Sequence, residues 1–187
     1  MATEEAAFKL VLKEGAFELR DYLPRIVAEV TVTGTQQEAG RKGFRKLAGY
    51  IFGGNTTARR IEMTTPVSKV RSGQKIAMTA PVSQIAEGGE WVVRFTMPAA
   101  IDLADLPTPN DPSVTLKTMP AERLAVIRFS GLARETSVTD ETRKLQACIQ
   151  SHGLEVTGAV SQARYDPPWT PWFLRRNEVM VPVRMAA

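Results

Sequence analysis

The stretch Pro24-Arg25-Ile26-Val27-Ala28-Glu29-Val30-Thr31-Val32-Thr33-Gly34 decides the fold, because its pattern returns at Pro120-Ala121-Glu122-Arg123-Leu124-Ala125-Val126-Ile127-Arg128-Phe129-Ser130-Gly131. In each copy a proline breaks what precedes it, a run rich in apolar and β-branched residues reads as a strand, and a glycine ends it. A helical segment follows both. Phe44, Leu47, Ala48 and Ile51 recur at helical spacing before Gly53-Gly54-Asn55, and Leu145, Cys148, Ile149 and His152 do so between about Val138 and Gly153. From Pro24 to Gly34 to Leu47, and from Pro120 to Gly131 to Leu145, the spacing drifts by only about a residue at each landmark, which marks a duplicated strand, strand, helix unit.

Ala16 to Tyr22 supplies the strand before Leu23-Pro24, and Ile26 to Thr33 the one after it. Further strands are expected at Lys75 to Ser83, Trp91 to Met97, Val114 to Thr118, Leu154 to Tyr165 and Glu178 to Val183. Leu106-Pro107-Thr108-Pro109-Asn110-Asp111-Pro112 reads as a surface connection between halves. The expectation is an α+β fold with two helices on one antiparallel or mixed sheet. Residues 1–15 form an N-terminal lead-in and 16–187 one domain, with halves of about 16–100 and 113–187.

The chain has 187 residues but one histidine, His152, and one cysteine, Cys148, which exclude a disulfide framework and a protein-only zinc site built from them alone. The lone thiol fits a reducing compartment. Met1 to Phe17 mixes acids with lysines and lacks the apolar run of a secretory signal, and nothing approaches a membrane-spanning length. A soluble, cytoplasmic, monomeric protein is the expectation. Net charge is +4, yet Arg41 to Lys75 holds nine basic residues and one acid, Glu62, a local +8 against −4 elsewhere. That segment either meets something anionic or is a solvated face.

A shorter repetition pairs Ile61-Glu62-Met63-Thr64-Thr65-Pro66-Val67 with Ile76-Ala77-Met78-Thr79-Ala80-Pro81-Val82. The prolines make each phrase an edge strand or a bend, and a hairpin about Arg71-Ser72-Gly73-Gln74 would bring Met63 and Met78 together. The two methionines are either core filler or a plastic wall for a flat apolar ligand.

In order and spacing, several segments resemble the SOUL haem-binding family from about Phe17 to Val183. They are Phe17-Glu18-Leu19-Arg20-Asp21-Tyr22, Gly43-Phe44-Arg45-Lys46-Leu47, Tyr50-Ile51-Phe52-Gly53-Gly54-Asn55, both Met-Thr-x-Pro-Val phrases, Phe129-Ser130-Gly131, Tyr165-Asp166-Pro167-Pro168 and Arg175-Arg176-Asn177-Glu178-Val179. The resemblance implies a distorted antiparallel sheet or barrel flanked by two helices, related to small-molecule-binding domains of the GyrI-like type. It also implies binding of haem or another tetrapyrrole, with its iron, for buffering or trafficking, between the first helix and a late loop. The matching helix residues are Arg41, Phe44, Arg45, Leu47 and Ala48, and the matching loop is Trp169-Thr170-Pro171-Trp172-Phe173.

A tetrapyrrole is a large apolar plane with two carboxylates, so Phe44, Trp169 and Trp172 would face the ring while Arg41 and Arg45 hold the rim. The alternative for the tryptophans is that they close the end of the sheet as core. Of Arg175 and Arg176, adjacent on a strand and so on opposite faces, at least one is expected to pair with a carboxylate such as Glu178 or stay solvated.

The chain departs from the family in lacking a histidine near the second strand, since Ile26 to Thr33 contains none. His152, beside Gly153, reads as a helix-end residue interacting with the helix dipole rather than an axial ligand, although Cys148 and His152 share a helical face and allow a thiolate pair or two metal ligands. Haem held by ring packing and propionate contacts is therefore the expectation. Two other classes compete with it. A small-molecule hydrolase of the GyrI-like fold would use Glu62, Glu178 or Tyr50 as acid or base, but no GxSxG, HExxH or phosphate loop is present. A module for anionic surfaces would use the +8 segment, with no specific nucleic acid expected because Phe44, Leu47 and Ile51 form a core or pocket stripe.

Overall fold

The computed structural model describes residues 4–56, 73–166 and 169–186. Its elements are β1 (Glu4–Glu5), β2 (Phe8–Glu14), β3 (Phe17–Tyr22), β4 (Arg25–Val32), α1 (Gln36–Ile51), β5 (Asn55–Thr56), β6 (Thr79–Glu87), β7 (Glu90–Thr96), β8 (Thr108–Pro109), β9 (Thr115–Met119), β10 (Glu122–Ser130), α2 (Glu135–Ser151), β11 (Leu154–Val156), β12 (Ser161–Arg164) and β13 (Arg176–Met185). A 3-10 turn, Trp172–Leu174, precedes β13.

Alternation along the strands sorts the side chains onto two faces. In β4, Ala28, Val30 and Val32 are buried in the cluster that holds Leu47, Tyr50 and Ile51 of α1, whereas Glu29 on the other face meets Arg94. In β10, Ala125 and Ile127 pack with Leu145 and Ile149 of α2, while Leu124 and Val126 join Tyr22 and Met180 on the opposite face. Both helices thus cover one side of the sheet. α1 starts at a capping box in which Thr35 and Glu38 satisfy each other's backbone N–H groups. It approaches β7 so closely at Gly43 that an added Cβ would sit 2.5 Å from Cγ2 of Val93.

The sheet is strongly curled into a half-barrel of eleven strands, ordered β2-β3-β10-β13-β12-β6-β7-β4-β9, with β1 beside β6 and β11 beside β13. From the β6–β12 junction outward, β6-β7-β4-β9 mirrors β12-β13-β10-β3. The duplication is therefore real, with a twist in its assembly. β3 opens the first unit but pairs with β10 of the second, and β9 opens the second but pairs with β4 of the first. Leu47 and Leu145 are both 0% exposed, which is the repeat expressed as packing.

Several boundaries differ from expectation. Phe8–Glu14, inside the expected lead-in, is a strand paired with β3. The expected strand over Leu154 to Tyr165 is two short strands, broken where Gly158 passes close to Pro182. α2 begins at Glu135, ahead of Val138. Lys75 makes only an isolated bridge to Phe52, and β6 starts at Thr79. Pro81 lies on a central strand, not on an edge, and the register shifts between Thr79 and Val82 accommodate it. The Pro-rich connection is tied down by buried Leu106 and by Tyr50, whose hydroxyl donates to the Pro107 carbonyl. Met63 and the phrase Ile61 to Val67 lie outside the described residues.

The concave face carries a buried ionic network. Arg20, 1% exposed, donates to both carboxylate oxygens of Glu178, 0% exposed, at 2.8 and 2.9 Å. Arg176 also donates to Glu178, the Tyr165 hydroxyl donates to it at 2.6 Å, and Glu18 accepts from Arg20 at 2.7 Å. Burial pushes the Glu178 pKa up, but the hydrogen bonds and charge of Arg20, with Tyr165 and Arg176, outweigh it and hold the carboxyl below its ordinary value. Arg176 therefore pairs with Glu178, as expected of one of the two adjacent arginines.

Two predictions follow from this packing. Overpacking costs about 1–3 kcal/mol, more than the roughly 1 kcal/mol that alanine gains over glycine in a helix. Gly43→Ala is therefore expected to lower the denaturation midpoint, while Gly49→Ala, with nothing within 4 Å of its Cβ position, raises it. The reverse order would show that α1 does not seat on β7 through Gly43. Glu178→Gln takes from the buried Arg20 and the half-buried Arg176 the carboxylate they share, leaving them only Glu18 and Glu5, and is expected to cost up to about 3–5 kcal/mol. The folded Glu178 pKa lies below 4.5, so its contribution is complete above pH 4.5 and is lost as pH falls through the depressed value. The acid limb of the wild-type stability curve should be shallower in the variant, and an unchanged limb would count against the network.

Candidate functional site

The two faces of the sheet offer different spaces. The concave face holds a cavity of about 80 Å³ lined by Tyr22, Arg25, Val27, Arg94, Glu122 and Met180, among others. Arg25 pairs with Glu122 and Arg94 with Glu29. Pockets for drug-sized ligands are roughly 300–1,000 Å³, so this interior does not take a macrocycle as it stands. The helix-bearing face presents two apolar walls, one on α1 and one on the connection from β12 to β13.

One wall is the flank of α1. Gly43 and Leu47 point at the sheet, and Gly40 abuts Gln84 of β6, so at 100° per residue Gly40, Phe44 and Ala48 line the side turned toward β6 and β12. Phe44 is 40% exposed and packs on Phe95 with ring centroids 5.3 Å apart. Ala48 is half-buried beside it. Arg41 falls on the exposed shoulder next to Phe44, and Arg45 points further from the sheet. Leu47 is wholly in the core, so it supports this wall from behind.

The other wall is the loop. Trp169 is 81% exposed, and Trp172, Phe173 and Leu174 are all more than half exposed. The tryptophans therefore do not close the sheet as core. The loop's backbone is nonetheless pinned: Asp166 accepts from the Arg176 N–H at 2.6 Å, the half-buried Thr170 accepts at its carbonyl from Arg175 Nε at 2.8 Å, and Leu174 N–H donates to Pro171. Trp172 and Phe173 meet edge to face at 5.7 Å.

The floor was not visible in the motifs. Across the β6–β12 junction, Gln36 donates to Gln162 at 2.8 Å, Gln162 to Gln84 at 2.9 Å, and Gln84 back to the Gln36 carbonyl at 2.8 Å, fastening the start of α1 to both halves. One step along β12 stands Arg164, opposite Val82, which is opposite Phe95. Phe44 and Arg164 are thus separated by two strand spacings, about 10 Å. Arg164 is exposed, yet partial desolvation of its guanidinium and the Arg175 cation hold its pKa below the ordinary guanidinium value. The signal in the sequence was Ser161-Gln162-Ala163-Arg164, where polar residues alternate with small ones on a strand between two others.

Other candidates are committed elsewhere. His152 stacks on Phe17 at 5.0 Å, its Nδ1 lies 2.8 Å from the Cys148 carbonyl, and its Nε2 lies 3.3 Å from Glu14. The Cys148 carbonyl and Glu14 favour the imidazolium and raise its pKa, so both nitrogens are engaged on the far helix. Among the described residues, no group of His, Cys, Asp or Glu is arranged to hold a metal. Glu178 is saturated by its network, and Tyr50 is buried with its pKa pushed up by burial to about 12. Neither is placed as an acid or base, and Glu62 lies outside the described residues. Met78, 37% exposed, follows Ile76, whose N–H donates to Ile51, so it stands near the C-terminal end of α1.

Comparison with known proteins bears on the family and the fold. The chain is 28% identical over 169 residues to Heme-binding protein 1 of Xenopus laevis, covering 89% of this chain and 84% of that protein. Among solved structures, the EcmrR–DNA complex aligns with a TM-score of 0.64 at 13% identity, over 91% of this chain but only 57% of that one. A hydrolase from Listeria innocua aligns with a TM-score of 0.59 at 10% identity, over 93% and 94% of the two chains. At such identities these structures attest the fold alone. The model of the family described as SOUL heme-binding protein matches residues 3–182, nearly the whole chain, and the protein belongs to that family.

Proposed function

We propose that this protein binds haem or a related tetrapyrrole without catalysis, on the helix-bearing face between the Phe44 side of α1 and the Trp169–Phe173 loop, in the service of buffering or trafficking. The observation that carries this reading is the set of large apolar side chains, Trp169, Trp172, Phe173 and Leu174, held in solvent on a loop whose backbone is tied down. Leaving such a cluster exposed has a cost that a flat apolar ligand removes. Membership of the SOUL family and the name of the Xenopus relative support the choice of ligand. Because His152 is engaged by Cys148 and Glu14, recognition rests on ring packing and carboxylate contacts and not on a histidine bond to iron.

Titration with haem and with metal-free protoporphyrin is expected to give comparable affinities. No binding of either would overturn the proposal. Phe44→Ala and Trp172→Ala each remove an aromatic contact worth about 1 kcal/mol and should weaken both ligands roughly fivefold. His152→Ala is expected to leave the Soret band of the haem complex unchanged, and loss of that band would show that histidine is a ligand after all.

A further inference from the structure

Arg164 stands apart from most arginines of the sheet. Arg20, Arg25, Arg94, Arg123, Arg176 and Arg184 each sit on a carboxylate. Arg128, exposed on β10, has no such partner among the described residues, and neither has Arg164. Among the described residues, the one hydrogen bond of Arg164 is long, 3.5 Å from Nη2 to the Ala133 carbonyl. That is beyond the usual N–H···O range of about 2.7–3.2 Å. The charged group acting on it is a second cation, Arg175, which the Thr170 carbonyl holds at the root of the aromatic loop. A guanidinium on a central strand that no described carboxylate occupies gains more from an incoming carboxylate than one already paired.

We infer that Arg164 is the carboxylate-receiving residue of the groove, taking a propionate of the bound tetrapyrrole while the ring lies against the aromatic loop and the Phe44 flank. This assignment rests on the tetrapyrrole reading above. It moves the polar contact from the helix rim, where Arg41 and Arg45 were expected to supply it, to the floor. The physical reason is rigidity. Arg41 and Arg45 stand on a helix surface, where an ion pair contributes little after side-chain ordering and screening. Arg164 projects from a central strand, is flanked by the glutamine chain and the β10–α2 connection, and presents a planar fork matched to a carboxylate.

The test compares metal-free protoporphyrin with its dimethyl ester, which keeps the ring and removes both charges. Binding is followed by quenching of tryptophan fluorescence in wild type, Arg164→Gln, Arg164→Lys and Arg41→Gln, with the thermal midpoint of each variant as a folding control. Wild type is expected to prefer the diacid by on the order of tenfold, the size of one charge-assisted hydrogen bond. Arg164→Gln should bind both ligands at the affinity of the ester, and Arg164→Lys should keep part of the preference. Retention of the full preference in Arg164→Gln overturns the assignment, as does its disappearance in Arg41→Gln alone. Equal binding of diacid and ester by wild type also overturns it but leaves ring recognition standing. Failure of wild type to bind either porphyrin overturns both.

Discussion

The ion pair between Arg20 and Glu178 is the constraint on which the rest of the architecture depends. It joins β3 to β13 across β10, so it links the exchanged first strand of one unit to the last strand of the other. A pair this deep in the protein is favourable only if further hydrogen bonds absorb the cost of removing both charges from water. Here Tyr165 and Arg176 complete the environment of Glu178, and Glu18 and Tyr22 that of Arg20, so the network is satisfied on every side. Its charge is consumed internally. The concave face beside it retains only a small cavity, and the exposed apolar surface is left to the face that carries the helices.

The proposed ligand contacts fall where the two-fold repetition breaks. β6 and β7 are joined by a tight turn at Gly88 and Gly89, both with positive φ, which fits glycine at a hairpin of this length. The equivalent connection from β12 to β13 runs from Tyr165 to Arg175 and carries the aromatic cluster and the second cation. The sheet does not need this loop for closure, because β12 and β13 already pair over Ser161 to Arg164. A connection of that length on a strand pair that a two-residue turn can join is better explained by a ligand than by folding.

The frame was legible because it obeys local rules twice. Proline, apolar strand, glycine and helix recur at nearly constant spacing, and both glycines adopt positive φ, 123° at Gly34 and 109° at Gly131. Phe44 and the tryptophan loop were legible as candidates for ring contacts, and their exposure was not, since aromatic residues on a loop read equally well as core. The burial of Leu47 was not legible for a related reason: helical spacing identifies a stripe but not which member of it turns to the sheet. Arg164 was invisible because its character depends on neighbours far away in sequence. Val82 on β6, Ala133 before α2 and Arg175 after the loop come together around it, and no short motif encodes that meeting.

The proposed mode of holding the ligand has a kinetic consequence. A coordinate bond from histidine to iron would have to break before haem could leave. With His152 occupied by Cys148 and Glu14, affinity comes from ring area and from one or two carboxylate contacts, terms of about 1–2 kcal/mol each. Those terms are lost in separate steps as water returns, so residence time tracks the aromatic loop and the cation beneath it. A protein that passes a tetrapyrrole onward needs this, and so does one that buffers it. The hydrogen-bonded base and exposed tips of the loop suit the same purpose: Asp166 and Thr170 are tied to Arg176 and Arg175, while the rings remain open to exchange.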